Sequence, residues 1–207
     1  MTGVLEKLFG SSARVKIIRL FLLNPETLFG FREISRRAKV NSRSLRREIL
    51  VLKNIDFIKQ KEEKIDELIK LKNGKIKNRK KKIQGLRLNS LFPFLQPLKN
   101  LVVTAAPFDK EKLIKKLNSI GRMKLIILSG VFTQSEDSRV DLLLAGDSIR
   151  RSALERLLKR IEAETGKELI YAVFNTNEFL YRFGMYDRFV RDVLDYPHEK
   201  ILNKLNI

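Results

Sequence analysis

Apolar positions in the first quarter of the chain recur at helical spacing. From Ser11 to Leu23, Val15, Ile18 and Leu22 repeat on one face, Ile17 and Phe21 widen it, and Asn24-Pro25 ends the segment. A short helix is predicted from about Phe31 to Ala38, with Phe31, Ile34 and Ala38 on one side. The turn Lys39-Val40-Asn41 follows, and the Asn41 side chain suits the cap of a new helix. That helix, about Ser42 to Lys53, turns Leu45, Ile49 and Leu52 inward and leaves Arg43, Ser44, Arg46 and Arg47 outward.

The period then changes. Phe57-Ile58 opens a strand, and Glu67 to Lys72 runs into Asn73-Gly74, a strong two-residue hairpin signal. The returning strand, Lys75 to Leu88, carries Lys75, Lys77, Arg79, Lys80, Lys81 and Lys82. Two helices joined by a three-residue turn, the second basic on its outer face, and then a long basic hairpin, read as a winged helix-turn-helix.

Beyond it, Leu91 to Thr104 is mostly apolar around Pro93 and Pro97 and reads as a linker helix. Helical and strand patterns then alternate: a helix over Asp109 to Ser119, strands over Met123 to Leu128 and Arg139 to Ala145, and a helix from about Ile149 to Thr165 ended by Gly166. A strand over Glu168 to Phe174 and helices over Asn175 to Phe183 and Tyr186 to Leu194 complete it, which argues a small α/β domain. The expected fold class is α+β, divided into residues 1–90, a linker over 91–108, and 109–207.

Charge sharpens this picture. The chain of 207 residues has 43 Lys and Arg against 24 Asp and Glu, a formal net charge of +19. Residues 1–98 hold 24 of the basic and 9 of the acidic side chains, so the excess is concentrated where the helix-turn-helix and hairpin lie. A polyanionic partner offsets such self-repulsion, and double-stranded DNA is the expected one. An α-helix fits the major groove, so Ser42, Arg43, Ser44, Arg46 and Arg47 are the candidates for base edges and nearby phosphates. The hairpin lysines are point charges suited to phosphate, without sequence reading. Six such contacts would give a log K against log salt slope of about −5.

The stretches Leu8-Phe9-Gly10-Ser11-Ser12-Ala13-Arg14-Val15-Lys16-Ile17, Phe21-Leu22-Leu23-Asn24-Pro25 and Arg32-Glu33-Ile34 resemble bacterial and archaeal winged-helix regulators. In that group the winged helix is often fused to a minimal nucleotidyltransferase-like domain. The resemblance implies a metal-binding carboxylate set after a Gly-Ser turn, because carboxylates hold the divalent ions that clamp a triphosphate. Here Gly130 is kept, Val131 stands at the serine position, Arg139 replaces the first carboxylate, Asp141 remains, and the third position falls on Ile170. A cation inside a cation site implies lost transferase activity, so no catalytic residue, metal or cofactor is expected. Asp141 is expected to pair with Arg139 or a neighbouring base. Glu136 and Asp137 lie in the intervening turn and are not expected to substitute.

Other classes are narrowed by composition. There are no cysteines, which excludes disulfides and thiolate metal sites, and His198 is the only histidine. Met1 to Leu8 lacks a signal-peptide pattern, and no stretch approaches a membrane span, so a cytoplasmic protein without membrane contact is expected. Phe174, Phe179, Phe183 and Phe189 are spaced as core anchors rather than as a stacking platform. The expected function is sequence-specific DNA binding by a transcriptional regulator. A homodimer is expected from half-site logic, with a protein partner for the C-terminal domain as a further expectation. The alternatives are a nucleotidyltransferase acting on a protein, RNA or small molecule, and an antitoxin-like partner of a toxin.

Overall fold

In the computed structural model, backbone is described for residues 2–70, 76–103, 110–135 and 137–207, and side chains for these apart from 2, 3, 65–70, 76–79 and 81. Helices and strands mix along the chain. The N-terminal layer comprises α1 (Thr2–Phe9), α2 (Ser12–Leu22), α3 (Phe31–Ala38) and α4 (Ser42–Asn54). The Ser11 hydroxyl caps α2, accepting from the Arg14 amide at 3.2 Å. Val15, Ile17, Ile18, Leu20, Phe21 and Leu22 are all buried, so α2 is a central helix, apolar on most of its circumference. Phe21 meets Phe29 edge to face with centroids 5.4 Å apart.

The turn between α3 and α4 is built as the residues dictate. Lys39 ends α3 in the left-handed conformation at φ 49°. Asn41 Oδ1 then accepts the Ser44 amide at 2.9 Å, and Leu45, Ile49 and Leu52 are buried. Glu48 is also buried and meets Arg14 Nε at 2.7 Å, which ties α4 to α2.

Strands β1 (Ile58–Lys70) and β2 (Ile76–Leu88) pair antiparallel from Ile58 opposite Leu88 to Lys70 opposite Ile76. Each strand has 13 residues and so spans about 40 Å. The Asn73-Gly74 turn and Lys75 lie outside the described residues. Among the described side chains of the hairpin, those embedded in the core lie at its base: Ile58 and Leu88 are buried, and Leu86 packs against the same cluster. Phe29 exchanges two backbone hydrogen bonds with Leu86, each 2.9 Å, a bridge that no period in the sequence signals. A Cβ on Gly85 would lie 2.8 Å from the Leu28 side chain and from the Phe29 carbonyl oxygen, so this close approach requires glycine. Helix α5 (Leu95–Val103) carries Pro97 in its first turn, where a missing N–H is tolerated. It falls within the span 91–108 read as a linker, of which residues 104–108 lie outside the described residues.

The remainder orders as α6 (Lys110–Asn118), β3 (Arg122–Leu128), β4 (Leu142–Asp147), α7 (Arg151–Thr165), β5 (Tyr171–Phe174), α8 (Thr176–Gly184), α9 (Arg188–Asp195) and β6 (Glu199–Asn203). Its sheet has the order β5-β4-β3-β6, with β4 and β5 parallel across α7 and the other pairs antiparallel. Alternation along β3 and β4 sends Ile126, Leu128, Leu142 and Leu144 to one face, packed with α6 and α7. Leu125, Ile127, Leu143 and Ala145 line the other, with Phe179, Val190 and Val193 of α8 and α9. Both faces are covered, which is why the two central strands are continuously apolar. Each leucine or isoleucine so buried stabilises by about 1.5–3 kcal/mol.

Three expectations need correction. The second strand begins at Leu142 rather than Arg139, and the third at Tyr171 rather than Glu168. Phe183 is exposed, although it stacks on Phe179 at 6.3 Å; it lies on the outer side of α8 and anchors no core.

The two halves meet along α2 and α7. Arg19, only 4% exposed, donates from Nε to the Val102 carbonyl and from Nη1 to the Glu164 carbonyl, both at 3.0 Å. Burial lowers its pKa from the ordinary arginine value, partly offset by Glu164 and Glu6. Asn24 Nδ2 donates to the Gly166 carbonyl at 2.8 Å, and Arg37 Nη2 meets Glu168 at 2.9 Å.

Candidate nucleic-acid interface

The outer face of α4 presents the predicted cations together. Ser42, Arg43, Arg46 and Arg47 are exposed, and Ser44 is half-buried with its amide taken by Asn41. The opposite stripe is anchored by Leu45, Glu48, Ile49 and Leu52, so rotation of this helix about its axis is fixed by the core. Its first turn has no acidic residue, leaving the positive end of the helix dipole uncompensated beside Arg43. Arg46 lies over the Phe31 ring at 5.9 Å, which orients its guanidinium, while among the described residues no ion pair engages Arg43 or Arg47.

The hairpin is less uniformly basic than its second strand suggests. The register sets Arg79 opposite Glu67, Lys80 opposite Asp66, Lys81 opposite Ile65 and Lys82 opposite Lys64. Lys82, facing a like charge, reaches diagonally to Glu62 at 3.0 Å. Arg87 pairs with Glu63. Lys80 is exposed; the side chains of Lys77, Arg79 and Lys81 are outside the described set, as is Lys75 altogether. Lys59, Lys61 and Lys64 on β1 are also exposed cations. They escape a search for charge runs because Glu62 and Glu63 interrupt them. The hairpin residues 58–88 still carry 12 basic against 4 acidic side chains, the signal that could have found them.

The residues singled out by the nucleotidyltransferase resemblance divide. Gly130, Asp141 and Ile170 come together, whereas Arg139 does not join them. Asp141 is 5% exposed; its Oδ1 accepts the Val131 amide at 2.7 Å and its Oδ2 the Ile170 amide at 2.8 Å. Its own amide donates to the Ile170 carbonyl at 2.7 Å, and its carbonyl accepts from Ser129 at 2.9 Å. Arg139 pairs with Asp192 of α9 instead, so the expected Asp141–Arg139 contact is not made. The reason is positional: Arg139 precedes β4, in a turn that points it toward α9. Asp141 is a backbone clamp, joining the Gly130–Phe132 turn to the start of β5. Glu136 lies outside the described residues. Among the described residues, no group of three His, Cys, Asp or Glu side chains is placed to hold a metal ion. His198 Nδ1 lies 2.9 Å from the Tyr196 carbonyl oxygen, a local contact.

Comparison with known proteins finds no matching family model, no matching curated protein and no matching solved structure. Among the described residues, no helix is long and apolar enough to cross a membrane.

Proposed function

We propose that the chain is a sequence-specific DNA-binding regulator in which α3, α4 and the β1–β2 hairpin act as a winged helix. The observation that carries this reading is the outer face of α4, where Arg43, Arg46 and Arg47 project beside a basic hairpin about 40 Å long. Helix α4 enters the major groove, with its arginines biased toward guanine and nearby phosphate. The hairpin lies along the backbone and contributes affinity rather than sequence preference. Paired copies reading two half-sites complete the proposal.

The α/β half serves as a scaffold or partner-binding unit descended from a nucleotidyltransferase-like fold, without transferase activity. The support is local: the one carboxylate kept from the motif spends both oxygens on backbone amides. Incubation with magnesium, labelled nucleoside triphosphates and cell lysate is expected to label nothing.

The deciding measurement is binding to fluorescent genomic DNA fragments, titrated with salt and unlabelled competitor, beside the variant Arg43→Ala/Arg46→Ala/Arg47→Ala. Tight binding to a few fragments, surviving competitor and lost in the variant, is the expected result. Weak, equal binding to every fragment that vanishes with modest salt would refute a sequence-specific regulator.

A further inference from the structure

A cavity of about 410 Å³ opens between α3 and the end of α7. Its size falls in the range of small-molecule sites. Arg36, Arg37 and Lys39 line one side and Lys159 and Lys167 the other, against two carboxylates, Glu162 and Glu168. Both carboxylates are already engaged: Glu168 holds Arg37 at 2.9 Å, and Glu162 Oε1 accepts the Leu169 amide at 3.1 Å. Among the described residues, no ion pair engages Arg36, Lys39, Lys159 or Lys167 around the cavity. The crowding registers on Lys39, whose ammonium is held below the ordinary lysine range by burial and by Arg160 and Lys159, against Glu162. Leu20 and Leu169 supply an apolar wall.

We propose that this cavity is a binding site for a small phosphate-bearing molecule with a compact apolar group. A phosphate accepts from several cations at once and relieves the repulsion among them, and Arg36 adds a planar fork that matches its oxygens. The apolar group rests on the edges of Leu20 and Leu169 that line the cavity wall. The ligand bridges the helical layer and the α/β layer at a junction that Arg37 and Glu168 already span. Binding at this site is independent of the DNA reading and needs no nucleic acid.

The test is calorimetric titration of the full chain, without DNA and at constant ionic strength, with inorganic phosphate and with phenyl phosphate. Saturable binding of one phenyl phosphate per chain is expected, at least threefold tighter than inorganic phosphate. Lys39→Gln/Lys159→Gln should weaken it tenfold or more, while Lys99→Gln/Lys116→Gln, which removes two remote exposed cations, should leave it within twofold. Circular dichroism of both variants should match the parent. Equal weakening by both pairs, or a response that never saturates, would overturn the site in favour of general electrostatic attraction. A cavity variant that loses DNA affinity yet keeps phenyl phosphate binding would assign these cations to nucleic acid and overturn it too. Loss of sequence-specific DNA binding by the parent, with phosphate binding intact, would sink only the DNA reading.

Discussion

Gly130 and Asp141 fit together only because one of them has no side chain: a Cβ on Gly130 would lie 2.2 Å from Asp141 Oδ1. Gly130 also has φ +53°, in the left-handed region that disfavours other residues. The carboxylate and the turn are thus one structural unit. Asp141→Asn replaces an oxygen acceptor by an N–H donor facing an amide, and an unmatched buried group costs about 1–3 kcal/mol. Gly130→Ala should cost at least as much, from left-handed strain of about 1–2 kcal/mol plus the clash. Urea unfolding of both variants checks this. A metal-holding Asp141 would behave otherwise, since removing its charge from an unfilled site would leave stability unchanged or improved.

Asp147, at the end of β4, accepts from the Thr176 hydroxyl at 2.9 Å and the Thr176 amide at 3.3 Å. These hydrogen bonds, side chain first, lower its pKa below the ordinary 3.8, with Arg122 and Lys124 adding to the effect. A depressed carboxyl pKa contributes stability that is fully present above the unfolded value and is lost as pH falls through the folded one. The stability advantage of the parent over Asp147→Asn should therefore hold from pH 7 to pH 5 and shrink below about pH 3.8. Thermal melts across that range read it, and a constant difference down to pH 2 would contradict the assignment.

Salt dependence separates the hairpin lysines. Lys61 is exposed and stands opposite Gly85, whereas Lys82 is held by Glu62 at 3.0 Å. On the DNA-binding reading, Lys61→Ala should make the log K against log salt slope shallower by about 0.9, one phosphate contact. Lys82→Ala should change it less, and Glu62→Gln should tighten binding by freeing Lys82. Fluorescence anisotropy at several salt concentrations measures all three. Equal slopes for the two lysine variants would show that the Glu62 pair opens on the DNA.

What the sequence discloses follows the range of the interactions involved. Helices α3 and α4 are legible because their boundaries are local events: a left-handed Lys39, an Asn41 cap, and Leu45, Ile49 and Leu52 at helical spacing. Strand β6, Glu199–Asn203, escapes notice because five residues without alternation become a strand only by pairing with β3. Helix α1 escapes notice because its eight residues are too few for a helical period to stand out. Asp141 has a structural role with other partners than the expected base, because they are backbone amides of Val131 and Ile170, which no side-chain pattern reveals. The cavity cations Lys39 and Lys159 are far apart in sequence, and only the packing of α3 on α7 brings them together.

That packing rests on Gly166. It ends α7 at φ +83°, and a Cβ there would lie 2.6 Å from the Arg19 carbonyl carbon and 2.7 Å from the Leu20 nitrogen. Backbone meets backbone at this point, so no side chain can move aside to accommodate a methyl group. Gly166→Ala must strain the cap by about 1–2 kcal/mol and also push α7 away from α2. Displacement would strip Arg19 of the Glu164 carbonyl and Asn24 of the Gly166 carbonyl, leaving buried donors unmatched. The expected outcome is a loss of about 2 kcal/mol or more in urea unfolding, with faster amide exchange along α2 and the end of α7. Gly184→Ala is the control: it ends α8 with open space around it and should be neutral or mildly stabilising. If Gly166→Ala instead unfolds like the parent and α2 exchanges no faster, the two layers do not depend on this contact. In that case the cavity between them would not be rigid enough to select a ligand by shape.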